Sequence, residues 1–338
     1  MGMCALLWLL IFEPQVGLFL TWWVLVPLIP LILLYVPHLW RNACPIAVLH
    51  QLPAMAGKGG RRRLSIRTHR WAPGIAALAL FFILPLRHLI FNDHGPALAA
   101  FLVAVLALAV GGGLLFVGKS GWCSTFCPLG PVEKLYGQDP WFYPSRAHCP
   151  SCVGCTKACF DLKGGQAVGE LLGAAPTEQR KRGSGSALNS VDNDAGDKEE
   201  IPGPTLLGTP TGIFAGAFPG FVLGFFAVDP TAGAGILYLH FATFALASLA
   251  LMVLAQRLFH KDLGATARTA AALAAAIYYA FAVPGAIQAM EGIWVGGPLP
   301  SWVTWAGQGL LIGLVVRWWL GPGSREKVES VPALPPGY

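Results

Sequence analysis

The stretch "PALAAFLVAVLALAVGGGLLFV" (residues 96–117) contains no charged side chain. A helix of about 20 apolar residues spans the hydrocarbon core of a bilayer, so this stretch predicts a transmembrane helix. The composition agrees, because 55% of the 338 residues are hydrophobic and only 12% are charged, whereas roughly a quarter of the residues in soluble domains are charged. The sequence therefore predicts an integral membrane protein.

Further apolar blocks of similar length extend in both directions from this one, at 17–37, 72–91, 208–228, 235–256, 266–288 and 301–320. We predict an all-α polytopic membrane protein with about seven transmembrane helices. The apolar segment 1–16 is too short to span and is separated from the first block by Glu13-Pro14. It is a signal-like start, an interfacial segment or an extension of the first helix. Because no basic start or small-residue cleavage site accompanies it, we expect it to stay in the mature protein.

The segment 38–71 carries seven basic residues and no acid, and loops rich in Lys and Arg stay in the cytoplasm. Seven crossings counted from this loop place the N-terminus outside and the C-terminus inside. Of the 23 Lys and Arg residues, all but Arg87 then lie in cytoplasmic segments or at the cytoplasmic ends of spans. We expect a multi-pass protein of the bacterial cytoplasmic membrane, whose basic loop contacts anionic lipid rather than nucleic acid.

The chain divides into five predicted parts. Residues 1–117 form a membrane half with three helices and the basic loop, and 118–165 form a cysteine-rich cytoplasmic segment. Residues 166–207 are polar and rich in Gly, Ser and Pro, which is typical of a disordered linker. Four more helices fill 208–321, and 322–338 form a cytoplasmic tail.

Residues 113–120 (GLLFVGKS) match the phosphate-loop pattern G-x-x-x-x-G-K-[ST]. A working phosphate loop follows a β-strand and opens a helix. Here the preceding residues form a membrane span, so we expect no nucleotide.

Eight cysteines occur in the chain, and all except Cys4 fall in predicted cytoplasmic segments, where thiols stay reduced and clusters of them bind metals. The segment "CPSCVGCTKAC" (149–159) has the spacing C-x2-C-x2-C-x3-C of a bacterial ferredoxin loop that holds a [4Fe–4S] cluster. Its cysteines are Cys149, Cys152, Cys155 and Cys159. Zinc sites pair two C-x2-C knuckles some distance apart, so this compact run favours a cubane over zinc.

The other cytoplasmic cysteines, Cys44, Cys123 and Cys127, leave two arrangements open. In the first, two clusters share all seven cysteines, and either a further ligand such as His50 or His148 completes the set or one site has only three protein ligands. In the second, one cluster takes the whole run, and Cys123 and Cys127 serve another purpose. A weak internal repeat relates "NACPIAVL" (42–49) to "TFCPLGPV" (125–132), each of which follows a predicted inward crossing.

The segment "GKSGWCSTFCPLG" (118–130) resembles the signature of the membrane polyferredoxin family, which includes NapH, NosR and CcoG. The resemblance covers 118–160 and extends faintly to 40–49. It implies a small ferredoxin-like insert at the cytoplasmic ends of membrane helices. In this family pattern Cys123 and Cys127 match the C-x3-C-P element and 149–159 match one ferredoxin run. The chain carries one such run where many members carry two.

Histidines and tryptophans give weaker signals. His88 and His240 lie near the outer ends of two predicted spans, where they are candidates to line a quinol pocket; we expect no haem. His38, His50 and His69 are expected to be solvated or to face lipid. The tryptophans near span ends are expected to form an interfacial belt; they are Trp22, Trp23, Trp302, Trp305, Trp318 and Trp319.

The favoured function is electron transfer between one or two cytoplasmic [4Fe–4S] clusters and the quinone pool or a redox partner in a respiratory complex. Such a chain is a redox component rather than a stand-alone enzyme. The alternative is an assembly factor for a respiratory metalloenzyme, in which Cys123 and Cys127 bind or reduce copper, since thiolates favour Cu(I). A transporter is disfavoured, because the spans contain few of the polar residues that line a substrate path.

Overall fold

The computed structural model describes residues 2–60, 62, 66–116, 122, 126–138, 205–229, 231, 233–259, 262–295 and 297–321. The described chain is almost entirely helical and contains no β-strand. The predicted all-α membrane architecture is therefore confirmed. Most of the predicted ferredoxin-like insert (118–165), including the four-cysteine run 149–159, and the predicted C-terminal tail lie outside the described residues.

The N-terminal half begins with helix α1 (Gly2–Phe12). The first span, Pro14–Tyr35, consists of α2 (Pro14–Phe19), a π-helical turn (Leu20–Leu25) and α3 (Val26–Tyr35). Two short helices follow, α4 (Pro37–Ala43) and α5 (Pro45–Met55). The next elements are α6 (Ile66–Ile83), a π-helical turn (Arg87–Phe91), α7 (Gly95–Leu115) and the short α8 (Gly130–Tyr136).

The C-terminal half contains four long helices. They are α9 (Pro210–Ala227), α10 (Ala234–Leu258), α11 (Leu263–Met290), which a π-helical turn extends to Val295, and α12 (Ser301–Leu320). Each begins where its sequence favours a helix start. Thr209 and Asp262, for example, accept hydrogen bonds from the amides of Gly212 (3.0 Å) and Ala265 (2.6 Å), which caps α9 and α11.

Six helical segments of the described chain are long and apolar enough to cross a membrane, where seven were predicted. They are Pro14–Tyr35, Trp71–Phe91, Gly95–Leu115, Pro210–Ala227, Ala234–Leu258 and Leu263–Val295. The seventh predicted span, 301–320, forms the 20-residue helix α12. It has sufficient length, but Gln308, Arg317 and several tryptophans lower its mean hydropathy.

Segment 1–16 is neither a straight extension of the first span nor a span itself. The backbone turns at Glu13 (φ −131°, ψ 66°), and α1 folds against α2 and α7. Leu10 is fully buried there, because the absence of a side chain at Gly17 and at Gly95 allows close approach. A Cβ atom on Gly17 would lie 2.7 Å from the Leu10 amide nitrogen.

Helix α9 forms the centre of the bundle. About 72% of its span is buried, against 22–33% for the other spans. Its glycines permit close contact with α10, since a Cβ on Gly220 would collide with the Phe244 carbonyl, and Ser248 donates a hydrogen bond to the Gly216 carbonyl (2.8 Å). Small residues at helix crossings are typical of membrane bundles.

Two expectations need correction at this core. The last three residues of the predicted linker, 205–207, are described, and Leu206 is fully buried, with its amide hydrogen-bonded to Gln256. The structured C-terminal half therefore begins no later than Thr205, rather than at residue 208. Trp318 is also buried rather than part of an exposed belt, because the Arg268 guanidinium lies 5.2 Å from its ring centroid. Trp302 and Trp305 are exposed, as expected.

Candidate metal centre at one end of the helix bundle

Cys44 and Cys127 are the predicted cysteine ligands that the structure describes, and both residues are half-buried. The remaining predicted ligands, Cys123, Cys149, Cys152, Cys155 and Cys159, lie outside the described residues, as does His148. Among the described residues, no three His, Cys, Asp or Glu side chains are grouped to hold a metal ion. A metal site that includes Cys44 or Cys127 would therefore need further ligands from outside the described residues.

Cys44 lies at the junction of α4 and α5. Its amide donates to the Trp40 carbonyl (2.7 Å) and closes α4, and its own carbonyl accepts from Val48 (3.1 Å) in α5. The backbone at Cys44 is extended (φ −61°, ψ 117°), since the residue before a proline avoids helical geometry. The junction leaves the thiol at the N-cap of α5, just beyond the first span.

Cys127 lies in a tight turn that follows α7. The amides of Phe126 and Cys127 both donate to the Trp122 carbonyl (2.9 Å each), and the Cys127 carbonyl accepts from Gly130 (2.8 Å), where α8 begins. Like Cys44, Cys127 thus stands directly before a short helix that follows a membrane span. The two Cys-Pro elements share this local arrangement, although α5 begins at Pro45 and α8 begins two residues after Pro128.

Helix α8 fixes this turn to the bundle. Val132, Leu135 and Tyr136 are buried in the main hydrophobic core, against which Leu129 and Trp40 also pack. Burial raises the pKa of Tyr136 above its usual range, so its phenol stays neutral. Residues adjacent to each of the two Cys-Pro elements therefore pack against the same hydrophobic core.

His50 is buried, with 1% of its surface exposed, and the expectation that it is solvated or faces lipid was wrong. The cause is the packing of α5 against α7, where Gly113 allows backbone contact with the His50 carbonyl. The His50 Nδ1 lies 2.8 Å from the Ala109 carbonyl. A carbonyl only accepts, so Nδ1 carries a proton, and in the neutral ring Nε2 then keeps a lone pair. The structure does not describe the side chains of His38 and His69.

Two polar atoms near Gly112 are buried without a hydrogen-bond partner in the described chain, the His50 Nε2 and the Trp122 Nε1. A Cβ on Gly112 would lie 3.1 Å from the His50 Cε1 and 3.7 Å from the Trp122 Cβ, so both side chains flank this glycine. A histidine that donates one ring nitrogen to a backbone carbonyl has the arrangement usual for a metal ligand. His50 is therefore chemically suited to bind metal through Nε2.

The described part of the basic loop closes over the same end of α7. The amides of Gly60 and Arg62 donate to the carbonyls of Gly113 (3.0 Å) and Leu115 (3.3 Å). Residues 113–116 of the phosphate-loop pattern are described: 113–115 end α7 and Phe116 is its C-cap, so the pattern follows a helix rather than a strand.

His88 and His240, at the other end of the helix bundle, lie in different surroundings. The His88 Nε2 donates to the Phe225 carbonyl (3.0 Å), which occupies the nitrogen that most often binds haem iron. The His240 ring packs at a tilt against Phe244 with ring centroids 4.6 Å apart, and its Nε2 is buried without a described partner. No contact joins the two rings among the described residues.

Arg87 precedes His88 in the chain and is buried among aromatic rings. The sequence analysis did not single it out as a candidate functional residue.

The sequence matches no protein-family model, and neither the curated proteins nor the solved structures compared with it give a significant match.

Proposed function

We propose that this chain is a membrane-bound iron–sulfur protein that carries electrons. In this proposal one or two [4Fe–4S] clusters lie at the cytoplasmic face of the bacterial cytoplasmic membrane and exchange electrons with the quinone pool or a redox partner protein. The main support is the spacing C-x2-C-x2-C-x3-C at 149–159, in the segment that joins α7 to α9. Six apolar helices support the membrane placement.

The proposed ligands of the first cluster are Cys149, Cys152, Cys155 and Cys159. Cys44, Cys123 and Cys127 are proposed for a second metal centre, whose remaining ligands would come from outside the described residues. A bound cubane would supply one-electron redox chemistry, with a potential set by burial and by hydrogen bonds to the sulfurs. The chain would hold the thiolates at the ends of two spans, and the packing of α8 would shield them on the bundle side.

The proposal is tested by iron and acid-labile sulfide analysis of anaerobically purified protein, with EPR spectra before and after reduction by dithionite. Iron for two cubanes, with interacting reduced-cluster signals, would assign the second centre to iron–sulfur chemistry. Iron for one cubane would leave Cys44, Cys123 and Cys127 for other chemistry. Zinc without iron would exclude electron transfer by this chain.

An alternative role is assembly of a respiratory metalloenzyme through copper binding. The observation in its favour is that Cys44 and Cys127 are half-buried thiols outside the four-cysteine run, and thiolates select Cu(I). The chain has only 5 Met and therefore lacks a Met-rich copper-carrying tract. Stoichiometric Cu(I) binding that Cys127→Ser abolishes, in protein with one cubane, would favour this role over electron transfer.

A further inference from the structure

Arg87 is a buried cation about one turn before the end of the second span. Only 9% of its surface is exposed. Its Nε donates to the Asn92 side-chain oxygen (3.0 Å), and no carboxylate of the described chain lies within ion-pair distance. It is also the one Lys or Arg that lies neither in a predicted cytoplasmic segment nor at the cytoplasmic end of a predicted span.

Three aromatic rings enclose the guanidinium, and we call them, together with Arg87, the Arg87 cage. The Arg87 Cζ lies 4.4 Å from the Trp22 ring centroid, 5.5 Å from that of Trp23 and 5.3 Å from that of Phe225. The rings come from the first span and from α9, so residues far apart in sequence build the cage.

The aromatic walls are held in place by contacts of their own. The Trp22 Nε1 donates to the Phe91 carbonyl (3.0 Å). The Trp23 ring lies against Gly285, where a Cβ would be 2.5 Å from the ring. The cage is therefore formed before any ligand binds, which lowers the entropic cost of binding.

The guanidinium remains charged in proteins. Aromatic faces attract a cation, but this attraction is weak beside the cost of burying an unpaired charge. Ionisable groups within spans are usually paired or functional. The charge of Arg87 therefore calls for an anionic partner, and a neutral ligand would not compensate it.

The position of the cage indicates which anion. It lies next to the connection 92–94, where the second span ends and α7 begins, and the predicted topology places this connection at the outer membrane surface, where lipid headgroups lie. Guanidinium groups bind phosphate oxygens through paired hydrogen bonds.

His88 adds a second, independent feature. Its Nε2 donates to the Phe225 carbonyl, so its Nδ1 is an acceptor, and this buried atom has no partner in the described chain. Both the His88 ring, at 4.3 Å, and the Arg87 Cζ lie against the Phe225 ring. A ligand that offers both a phosphate and a hydroxyl donor would satisfy the two residues together.

We propose that the Arg87 cage is a binding site for the phosphodiester headgroup of an anionic phospholipid with a free hydroxyl, such as phosphatidylglycerol. Arg87 binds the phosphate, and His88 accepts a hydrogen bond from the headgroup hydroxyl. This inference does not depend on the metal chemistry proposed above.

The test uses the full chain, purified in detergent and stripped of lipid. Dioleoyl phosphatidylglycerol, dioleoyl phosphatidylcholine and inorganic phosphate are added separately, and bound lipid is counted by native mass spectrometry while the melting temperature is recorded. We expect one retained phosphatidylglycerol and a rise in melting temperature. Phosphatidylcholine, which lacks the hydroxyl, should give a smaller rise.

Arg87→Met removes the charge with little change in volume, and Arg257→Met removes an exposed arginine at the end of α10 as a matched control. We expect Arg87→Met to lose the lipid and the thermal shift, and Arg257→Met to keep both. Equal shifts in wild type and Arg87→Met would overturn the proposal. An Arg87-dependent shift with inorganic phosphate alone would overturn the lipid assignment in favour of a free oxyanion.

If Arg87→Met does not fold, the wild-type comparison still decides, because equal retention of the two lipids contradicts the proposal. Iron content is measured on the same samples. It tests the electron-transfer proposal independently, so loss of lipid binding with unchanged iron would concern the Arg87 cage alone.

Discussion

Cys44 and Cys127 occupy equivalent positions, each before a short helix at the end of a membrane span. Half-burial makes both thiols accessible to a metal while the backbone around them is fixed by hydrogen bonds. Cys4, in α1, is exposed and belongs to neither Cys-Pro element. Mutation of Cys4 therefore serves as a control for mutation of the two Cys-Pro cysteines.

We predict that Cys127→Ser and Cys44→Ser each lower the iron or copper content of the protein, because a hydroxyl is a poor substitute for a thiolate toward soft metals. Cys4→Ser should retain the wild-type content. Metal analysis of the three variants checks this. Unchanged metal in Cys127→Ser would remove Cys127 from the ligand set, even if the four-cysteine run still holds a cluster.

At the scale of elements, the contact of α5 with α7 depends on small residues in the last turns of α7. A Cβ on Gly113 would collide with the His50 carbonyl, whereas nothing lies within 4 Å of a Cβ on Gly111. Gly112 lies between them, against the His50 ring. The three adjacent glycines therefore have different structural roles.

We expect Gly113→Ala to lower the melting temperature in detergent, since the collision involves backbone that must shift and overpacking costs about 1–3 kcal/mol. Gly111→Ala should be neutral or stabilising by up to about 1 kcal/mol, because alanine favours a helix over glycine. A thermal melt of both variants checks the pair. Equal destabilisation would contradict the described contact of α5 with α7.

The orientation of α12 determines the side of the C-terminus. Arg268, near the start of α11, donates to the carbonyls of Trp318 (2.6 Å) and Gly321 (3.0 Å) at the end of α12. In the middle, Gln308 donates to the Ala280 carbonyl (2.7 Å). Helix α12 therefore runs antiparallel along α11 and returns to the level at which α11 begins.

From this packing we predict that α12 crosses the membrane, despite its lower hydropathy. A reporter fused after Leu320 should be on the same side as one placed in the basic loop 38–71. A reporter in the connection 228–233 should be on the opposite side. Alkaline phosphatase and fluorescent-protein fusions at these points check the orientation, and a C-terminal reporter on the side of 228–233 would show that α12 does not cross.

At the scale of the whole molecule, one core joins the two halves of the chain. Aromatic residues of α9 pack against those of α6 and α10, as in the stack of Phe81 on Phe221 (4.3 Å between ring centroids) and the contact of Phe221 with Phe241 (5.4 Å). The candidate metal centre and the Arg87 cage lie near opposite ends of α7, whose 21 residues give about 30 Å of helix. The candidate metal centre and the Arg87 cage therefore lie at opposite ends of the helix bundle.

Leu237 and Leu239 of α10 provide a matched test of this core, since Leu237 is fully buried and Leu239 is 68% exposed. Lipid is as apolar as leucine, so burial in a membrane bundle stabilises mainly through packing. We expect Leu237→Ala to destabilise the protein by about 2 kcal/mol or more through the cavity it leaves. Leu239→Ala should have little effect, as measured by thermal or denaturant unfolding in micelles. The reverse order would contradict the packing of α10 on α9.

The sequence by itself determined the helical membrane architecture, because long uncharged blocks can satisfy their backbone in lipid only as helices. It also placed the span ends within a few residues in most cases, since Pro, Gly and polar residues mark them. The Cys-Pro elements and the four-cysteine spacing are also local in sequence, and the metal chemistry expected of them stays a prediction from the sequence.

Only the tertiary structure decided which polar groups are buried. His50 is enclosed because α7 offers glycines where α5 packs, Trp318 is covered by contact with Arg268, and Arg87 is enclosed by rings from the first span and from α9. In an apolar chain nearly every helix face is hydrophobic, so periodicity does not distinguish lipid-facing from buried positions. That distinction depends on contacts between residues far apart in sequence.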